Sequence, residues 1–206
     1  QVRLIILPAG LLAFRWPRVT SNVRPHHMRL IAWVLLLSVT QTAFGQVVTL
    51  SGEDMRAHSA FRVPSEAMEP SIHSGEVIYV DIRNFQPRLL KAGSIIAFKQ
   101  PSSPPQLQVK RVVALAGSKV QFRRWKLLVD DKEISEPYVN PDNVMSTSSF
   151  EWGPTQVEQN CVFVLSDNRD RGNDSRTYGC VPVSDILGIA KYVAPASSPQ
   201  AARRLQ

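Results

Sequence analysis

Acidic residues are missing from the first 52 positions. That stretch carries Arg3, Arg15, Arg18, Arg24 and Arg29, whereas all 17 acidic residues and the rest of the 24 basic ones lie from Glu53 onward. The formal charge of +7 is therefore mostly a property of the N-terminal segment. A nucleic-acid binder usually carries its excess charge on the folded body, so nucleic acid is not the expected partner. Cysteine is scarce, with Cys161 and Cys180 alone. They form no CxxC and match no metal spacing. Two readings stay open: one disulfide in an oxidising compartment, or two semi-buried thiols. Long helical periods are missing from the body, and there is no internal repeat.

Long uncharged runs are equally rare. The stretch Leu4–Phe14 is broken by Pro8 and is too short to span a bilayer. Residues 30–50 hold 21 positions without a charge, enough to cross the hydrocarbon of a bilayer. This segment reads either as an uncleaved anchor or as a cleavable signal ending in Ala43-Phe44-Gly45. The apolar run continues past Gln46, which favours the anchor. With arginines on its N-terminal flank, either form places the body outside the cytoplasm. Residues 1–29 are expected to be a cytoplasmic or non-native extension, with Met28 as a plausible start.

What is present in the body is β pattern. Short runs rich in branched and aromatic residues recur at Glu76–Asp81, Ser94–Phe98, Gln108–Leu115, Lys126–Val129, Val162–Leu165 and Ile189–Val193. Clusters of Gly, Pro, Asn and Asp separate them, so the body at 51–193 is expected to be all-β. Asn140–Gly153 reads as a polar loop. Residues 194–206, rich in Ala, Ser, Pro and Gln, read as a disordered tail.

Three segments carry chemistry. The first is Pro64-Ser65-Glu66-Ala67-Met68-Glu69-Pro70, bracketed by prolines. The second is Val109-Lys110-Arg111-Val112-Val113, which puts a lysine inside an apolar strand. A desolvated lysine loses its preference for the ammonium form and can serve as a base near neutral pH. The alternative is a lysine reaching from a strand edge to water. The third is Ser166–Arg176, where Asp167, Asp170 and Asp174 alternate with Arg169, Arg171 and Arg176. Its spacing fails the EF-hand pattern, so no metal is expected.

Taken in order, these segments resemble the boxes of the type I signal peptidases. Pro64 to Ile72 resembles the nucleophile box P-S-x-S-M-x-P-T-L, and Gly93 to Phe98 the G-D-I-V box. Val109 to Ser118 resembles the lysine box V-K-R-V-I-G-L-P-G-D. Ser166 to Arg176 resembles G-D-N-R-x-N-S-x-D-S-R, and Glu136-Pro137-Tyr138-Val139 also fits. The resemblance runs from Phe61 to Val193. It implies an antiparallel β-domain, a catalytic core plus a smaller extended lobe, behind one N-terminal transmembrane helix. It also implies a serine–lysine endopeptidase that removes signal peptides from exported preproteins at the outer face of the membrane, with no cofactor or metal. The implied partners are signal peptides and the lipid bilayer, with the chain acting as a monomer.

The same resemblance assigns residues. Lys110 matches the general base, and Ser65 with the backbone N–H of residue 67 matches the oxyanion donors. Asp174 and Arg176 match residues that brace the catalytic loop, Ser175 its buffering hydroxyl. Pro64, Met68 and Pro70 fall on substrate-binding positions. The nucleophile position, however, is Ala67. Gly172 stands where the family usually has a serine that orients the lysine. Smaller departures are Ser166 for Gly, Ser94 for Asp, Ala116 for Pro and Ser118 for Asp. An introduced Ser→Ala change would explain Ala67 alone. A non-catalytic homologue that binds export or assembly clients would explain both changes, and Ser65 or Ser71 is the nearby hydroxyl that an atypical enzyme would need. Two changes around Lys110 favour the diverged homologue.

Overall fold

The computed structural model describes residues 47–49, 57–100, 106–143 and 150–205. They form 13 strands in two antiparallel sheets. The larger sheet runs β1 (Val47–Thr49), β13 (Ala201–Arg204), β12 (Ile186–Ala194), β4 (Ile95–Gln100), β5 (Gln106–Leu115), β10 (Cys161–Leu165) and β11 (Val181–Pro182). β3 (Val77–Asp81) pairs with β12, and β2 (Ser59–Arg62) pairs with β3. The smaller sheet has the order β8 (Lys132–Glu133), β7 (Lys126–Val129), β6 (Lys119–Arg123), β9 (Glu151–Gln156).

All six strands expected from the sequence are present. β4 and β10 are buried and apolar through their middles, so hydrophobicity alone marks them. The short or polar strands were not legible. Residues 151–153, expected in a loop, open β9. The smaller sheet turns twice on non-glycine residues with positive φ: Arg124-Trp125 between β6 and β7, and Asp130-Asp131 between β7 and β8. Two such residues give the backbone twist that a tight hairpin needs. Trp125 stacks on Phe150 with ring centroids 4.2 Å apart, which helps to hold a turn that its residue types disfavour.

One expectation at the carboxyl end of the body needs correction. The tail expected to be disordered contains β13, which lies between β1 and β12 with Val193 opposite Arg203. Ala202 is fully buried against Tyr79 and Ala194. Small residues let this strand pack closely, a feature that composition alone reads as low complexity. At the other end, residues 47–49 of the expected membrane segment form β1, while residues 1–46 lie outside the described residues. Among the described residues no helix is long and apolar enough to cross a membrane.

One apolar cluster joins Val63, Met68 and Ile72 to β3, β4 and β12. Another joins Val113 and Ala114 of β5 and Phe163 of β10 to Phe122 and Leu127 of the smaller sheet. Gly188 lets β12 pass close to the backbone of Asp81, where an added Cβ would collide with the Asp81 carbonyl. Cys161 and Cys180 form a disulfide, with Cα atoms 5.6 Å apart, which resolves the two open readings. It closes the segment holding β10, the polar loop and a four-residue helix, α1 (Ser175–Tyr178). Its loss removes a constraint on the unfolded chain. Cys161→Ser/Cys180→Ser is expected to lower unfolding free energy by about 3 kcal/mol, read from the urea midpoint.

Candidate active site

β5 brings two cations into the sheet interior. Lys110 lies opposite Ile96, and Arg111 lies between Ile95 of β4 and Leu165 of β10. Lys110 is only 2% exposed. Burial pushes its ammonium pKa below the usual 10.5, against the opposing fields of Asp174 and Asp167. Arg111 makes a paired contact with Asp167, Nε to Oδ1 at 2.8 Å and Nη2 to Oδ2 at 2.7 Å. It also donates to the Gly93 carbonyl at 3.0 Å and the Ser71 hydroxyl at 3.1 Å, and it lies over the Tyr138 ring.

The polar loop after β10 is built around Asp174, which is wholly buried. Its carboxylate accepts from the Ser166 and Arg176 amides at 3.0 and 3.2 Å and from the Arg176 guanidinium at 2.8 and 2.9 Å. Asp174 thereby caps α1 and turns the chain back. The Ser175 hydroxyl accepts from the Val164 amide at 3.0 Å, tying the loop to β10. Arg176 also donates to the Arg169 carbonyl at 2.9 Å. Arg169 is paired with Glu136 at 3.0 and 2.5 Å. These buried charges are all paired, as charges removed from water must be: Asp174 with Arg176 inside the loop, Asp167 with Arg111 of β5, and Arg169 with Glu136.

The Pro-bracketed segment folds as consecutive turns, with Glu69 N–H donating to Glu66 O at 3.1 Å and Ile72 N–H to Met68 O at 2.8 Å. Met68 and Ile72 anchor it in the core, at 1% and 0% exposure. Ala67 is buried too, and its carbonyl accepts from the Asn168 amide at 3.0 Å. This bond fastens residue 67 to the loop whose carboxylates face Lys110. Ser65 and Pro64 are exposed and line a cleft of about 350 Å³ between Phe61–Ser65 and Gln106–Val109. Pro70 is exposed and is not among the cleft-lining residues. Ser71 is already engaged by Arg111.

Gly172 changes meaning in three dimensions. A Cβ placed there would fall on the Ser166 hydroxyl and lie 3.4 Å from the Asn168 carbonyl. The Ser166 hydroxyl thus fills the space that a side chain at 172 would need. It is buried and has no hydrogen-bond partner among the described groups. The two departures form one exchange, Ser and Gly having traded places across the loop. Gly172 is therefore read together with Ser166 and not as an isolated change beside Lys110. The signal was present in the sequence as two opposite substitutions, but only tertiary contact pairs them. Asn168 and Glu136 are further site residues whose positions the sequence alone did not reveal.

Among the described residues, the one group with metal-ligand spacing is Glu158, Cys161 and Cys180. Its two sulfurs are joined in the disulfide and offer no thiolates. The residues around Lys110 supply paired charges and hydrogen-bond donors rather than a ligand cage. The Ser166–Gly172 exchange is testable by a mutant cycle. Gly172→Ser alone is expected to cost about 2 kcal/mol through overpacking. Ser166→Gly/Gly172→Ser is expected to recover most of it, giving a coupling energy of about 1 kcal/mol or more in denaturant unfolding.

Comparison with known proteins converges on one family. The family model described as signal peptidase, peptidase S26, matches residues 30–194. Signal peptidase I of Leptolyngbya laminosa is 30% identical over 135 residues, covering 62% of this chain and 64% of that protein. Signal peptidase I of Bacillus caldolyticus is 30% identical over 143 residues, covering 65% of this chain and 78% of that protein. The chain spans less than two thirds of the length of the Leptolyngbya relative and of a Mycobacterium tuberculosis signal peptidase I, at 64% and 63%. A crystal structure of an Enterococcus faecalis signal peptidase I overlaps 48% of this chain and 95% of its own, with 28% identity and a TM-score of 0.43. With a family match that takes in both sheets, the buried lysine and the loop of Asp167 and Asp174, this chain belongs to the signal peptidase family.

Proposed function

We propose that this chain recognises signal peptides of exported preproteins at the outer face of a membrane, on a serine–lysine endopeptidase framework, and holds them without cutting. The framework rests on Lys110, and the absence of cutting rests on Ala67, which has no hydroxyl. Lys110 is buried, depleted of its ammonium preference and faced by Asp167 and Asp174, while the backbone of residue 67 is tied to the same loop. A lysine in that setting is a general base with an oriented neighbourhood. In the signal peptidase scheme it takes the proton of a serine hydroxyl as the oxygen attacks the scissile carbonyl. Ser65 and the amide of residue 67 stabilise the oxyanion, and the ammonium returns the proton to the leaving amine. Water then hydrolyses the ester by the same proton route.

At Ala67 that sequence has no first atom. Loss of a nucleophile that works as a unit with its base costs on the order of a million-fold in turnover. The surrounding parts nevertheless remain in place: Lys110 is buried, Asp174 is fully bonded and the residue 67 carbonyl is held by Asn168.

Peptide binding has its own support. β2 pairs only with β3, and β10 pairs with β5 only from Arg111 onward, so both walls of the cleft have an unpaired strand edge among the described residues. An extended peptide could add to such edges through its backbone. In this reading Pro64 and Ser65 lie beside the peptide, Met68 and Pro70 shape the loop, and small residues are required at the first and third positions before the cut. The uncharged residues from 30 up to β1 provide the attachment to the bilayer, and the arginine-flanked side remains in the cytoplasm.

The test compares this chain with Ala67→Ser on a preprotein carrying such a signal. No product is expected from this chain, together with measurable binding of the signal peptide. Ala67→Ser is expected to cleave, and Lys110→Ala in that background to abolish cleavage. Because the base must be neutral, activity of Ala67→Ser should rise with pH and level off, with its midpoint below 10.5. Cleavage by this chain that persists in Lys110→Ala would refute the assignment, as would absence of both binding and cleavage in Ala67→Ser.

A further inference from the structure

The loop that presents residue 67 is fastened from a direction outside the matched family region. β13 follows that region, and its Arg203 reaches the loop. Arg203 Nη2 donates to the Ser71 carbonyl at 2.7 Å and to Glu76 Oε2 at 3.1 Å. Glu76 is itself tied to the loop, accepting from the His73 amide at 2.8 Å. Two residues beyond Arg203, Leu205 packs on the apolar cluster that contains Met68 and Ile72. The Leu205 amide donates to Lys191 O at 2.9 Å, which continues the β13–β12 contact past the strand end. One strand therefore delivers a charged and an apolar contact to the same short loop.

We propose that Arg203 is a positioning residue, which sets the turn at 66–72 and, through it, the amide of residue 67 that faces the oxyanion. The route is short. Ser71 is next to Ile72, whose amide bonds to Met68 O, and Met68 follows residue 67. Arg111 holds the Ser71 hydroxyl from β5, so Arg203 and Arg111 grip one residue from two strands. An arginine suits this task, because Nη2 carries two N–H donors and can serve a carbonyl and a carboxylate at once. Both partners are local to the turn, so the contact orients the loop more than it binds the two ends of the protein together. The Arg203 side chain is 32% exposed, so its replacement leaves no buried cavity. The catalytic consequence rests on the function proposed above, while the structural consequence does not.

Two measurements on the full chain separate them. In amide hydrogen exchange, Arg203→Gln is expected to speed exchange at Glu69 and Ile72 about tenfold, leaving Val164 in β10 unchanged. Arg203→Lys, which keeps a cationic donor, is expected to restore most of the protection. In the Ala67→Ser background, Arg203→Gln is expected to lower kcat about tenfold with KM nearly unchanged, since the amide it orients acts on the transition state. Unchanged exchange at Ile72 would overturn the assignment, and so would equal acceleration at Val164, which would mean a global loss of stability. An Ala67→Ser chain without turnover would count against the proposed function alone, because exchange would still decide the role of Arg203.

Discussion

Arg111 and Asp167 meet through two hydrogen bonds of 2.8 and 2.7 Å, at side-chain exposures of 5% and 1%. They are 56 positions apart in the chain. Isolated charges at this depth would be prohibitively costly, and a buried pair breaks even only when geometry and remaining hydrogen bonds are good. Here they are: the guanidinium is also used by Gly93 O and the Ser71 hydroxyl, and it is stacked on Tyr138. The pair pins the loop after β10 to β5, and Lys110 comes with it as the next residue along the strand. A base can stay buried in this sheet because the same loop supplies Asp167 and Asp174.

That arrangement explains why the site has two characters. The charged loop is stiff, closed by α1 and the disulfide and filled with matched donors and acceptors. The segment at 64–72 has few such bonds of its own and depends on contacts from other strands, including Asn168, Arg111 and Arg203. Residue 67 therefore lies on a segment held largely by other strands, while Lys110 lies in the sheet itself. The contacts that hold Arg111, Asp167 and Asp174 do not involve the side chain of residue 67, so an alanine there leaves them in place.

Much of this was legible in the linear chain. The six apolar strands announced themselves because buried strands must be apolar and are bounded by turn formers. Lys110 stood out as a cation inside one of them, and the order of the boxes carried the family resemblance and with it Ala67, Asp174, Ser175 and Arg176. The β6–β7 turn was hidden, because Arg124 and Trp125 are not turn-forming types and are held by the stack on Phe150. β13 was hidden by a composition of Ala, Ser and Pro that means disorder when nothing packs on it. Here Tyr79 and Ala194 do.

Composition, patterning and motif order by themselves determined an all-β body, a charge-asymmetric N-terminal segment and an alanine at position 67 of the Pro-bracketed segment. These are properties of residue types at given positions along the chain, and no fold can put an Oγ on Ala67. Tertiary structure alone decided that Gly172 and Ser166 compensate each other, that Cys161 and Cys180 pair, and that the carboxyl-terminal strand reaches the nucleophile loop. Each of these is a contact between distant or individually ambiguous residues. Its meaning depends on which atom occupies a shared space, and that is settled only once the sheets have set the distances.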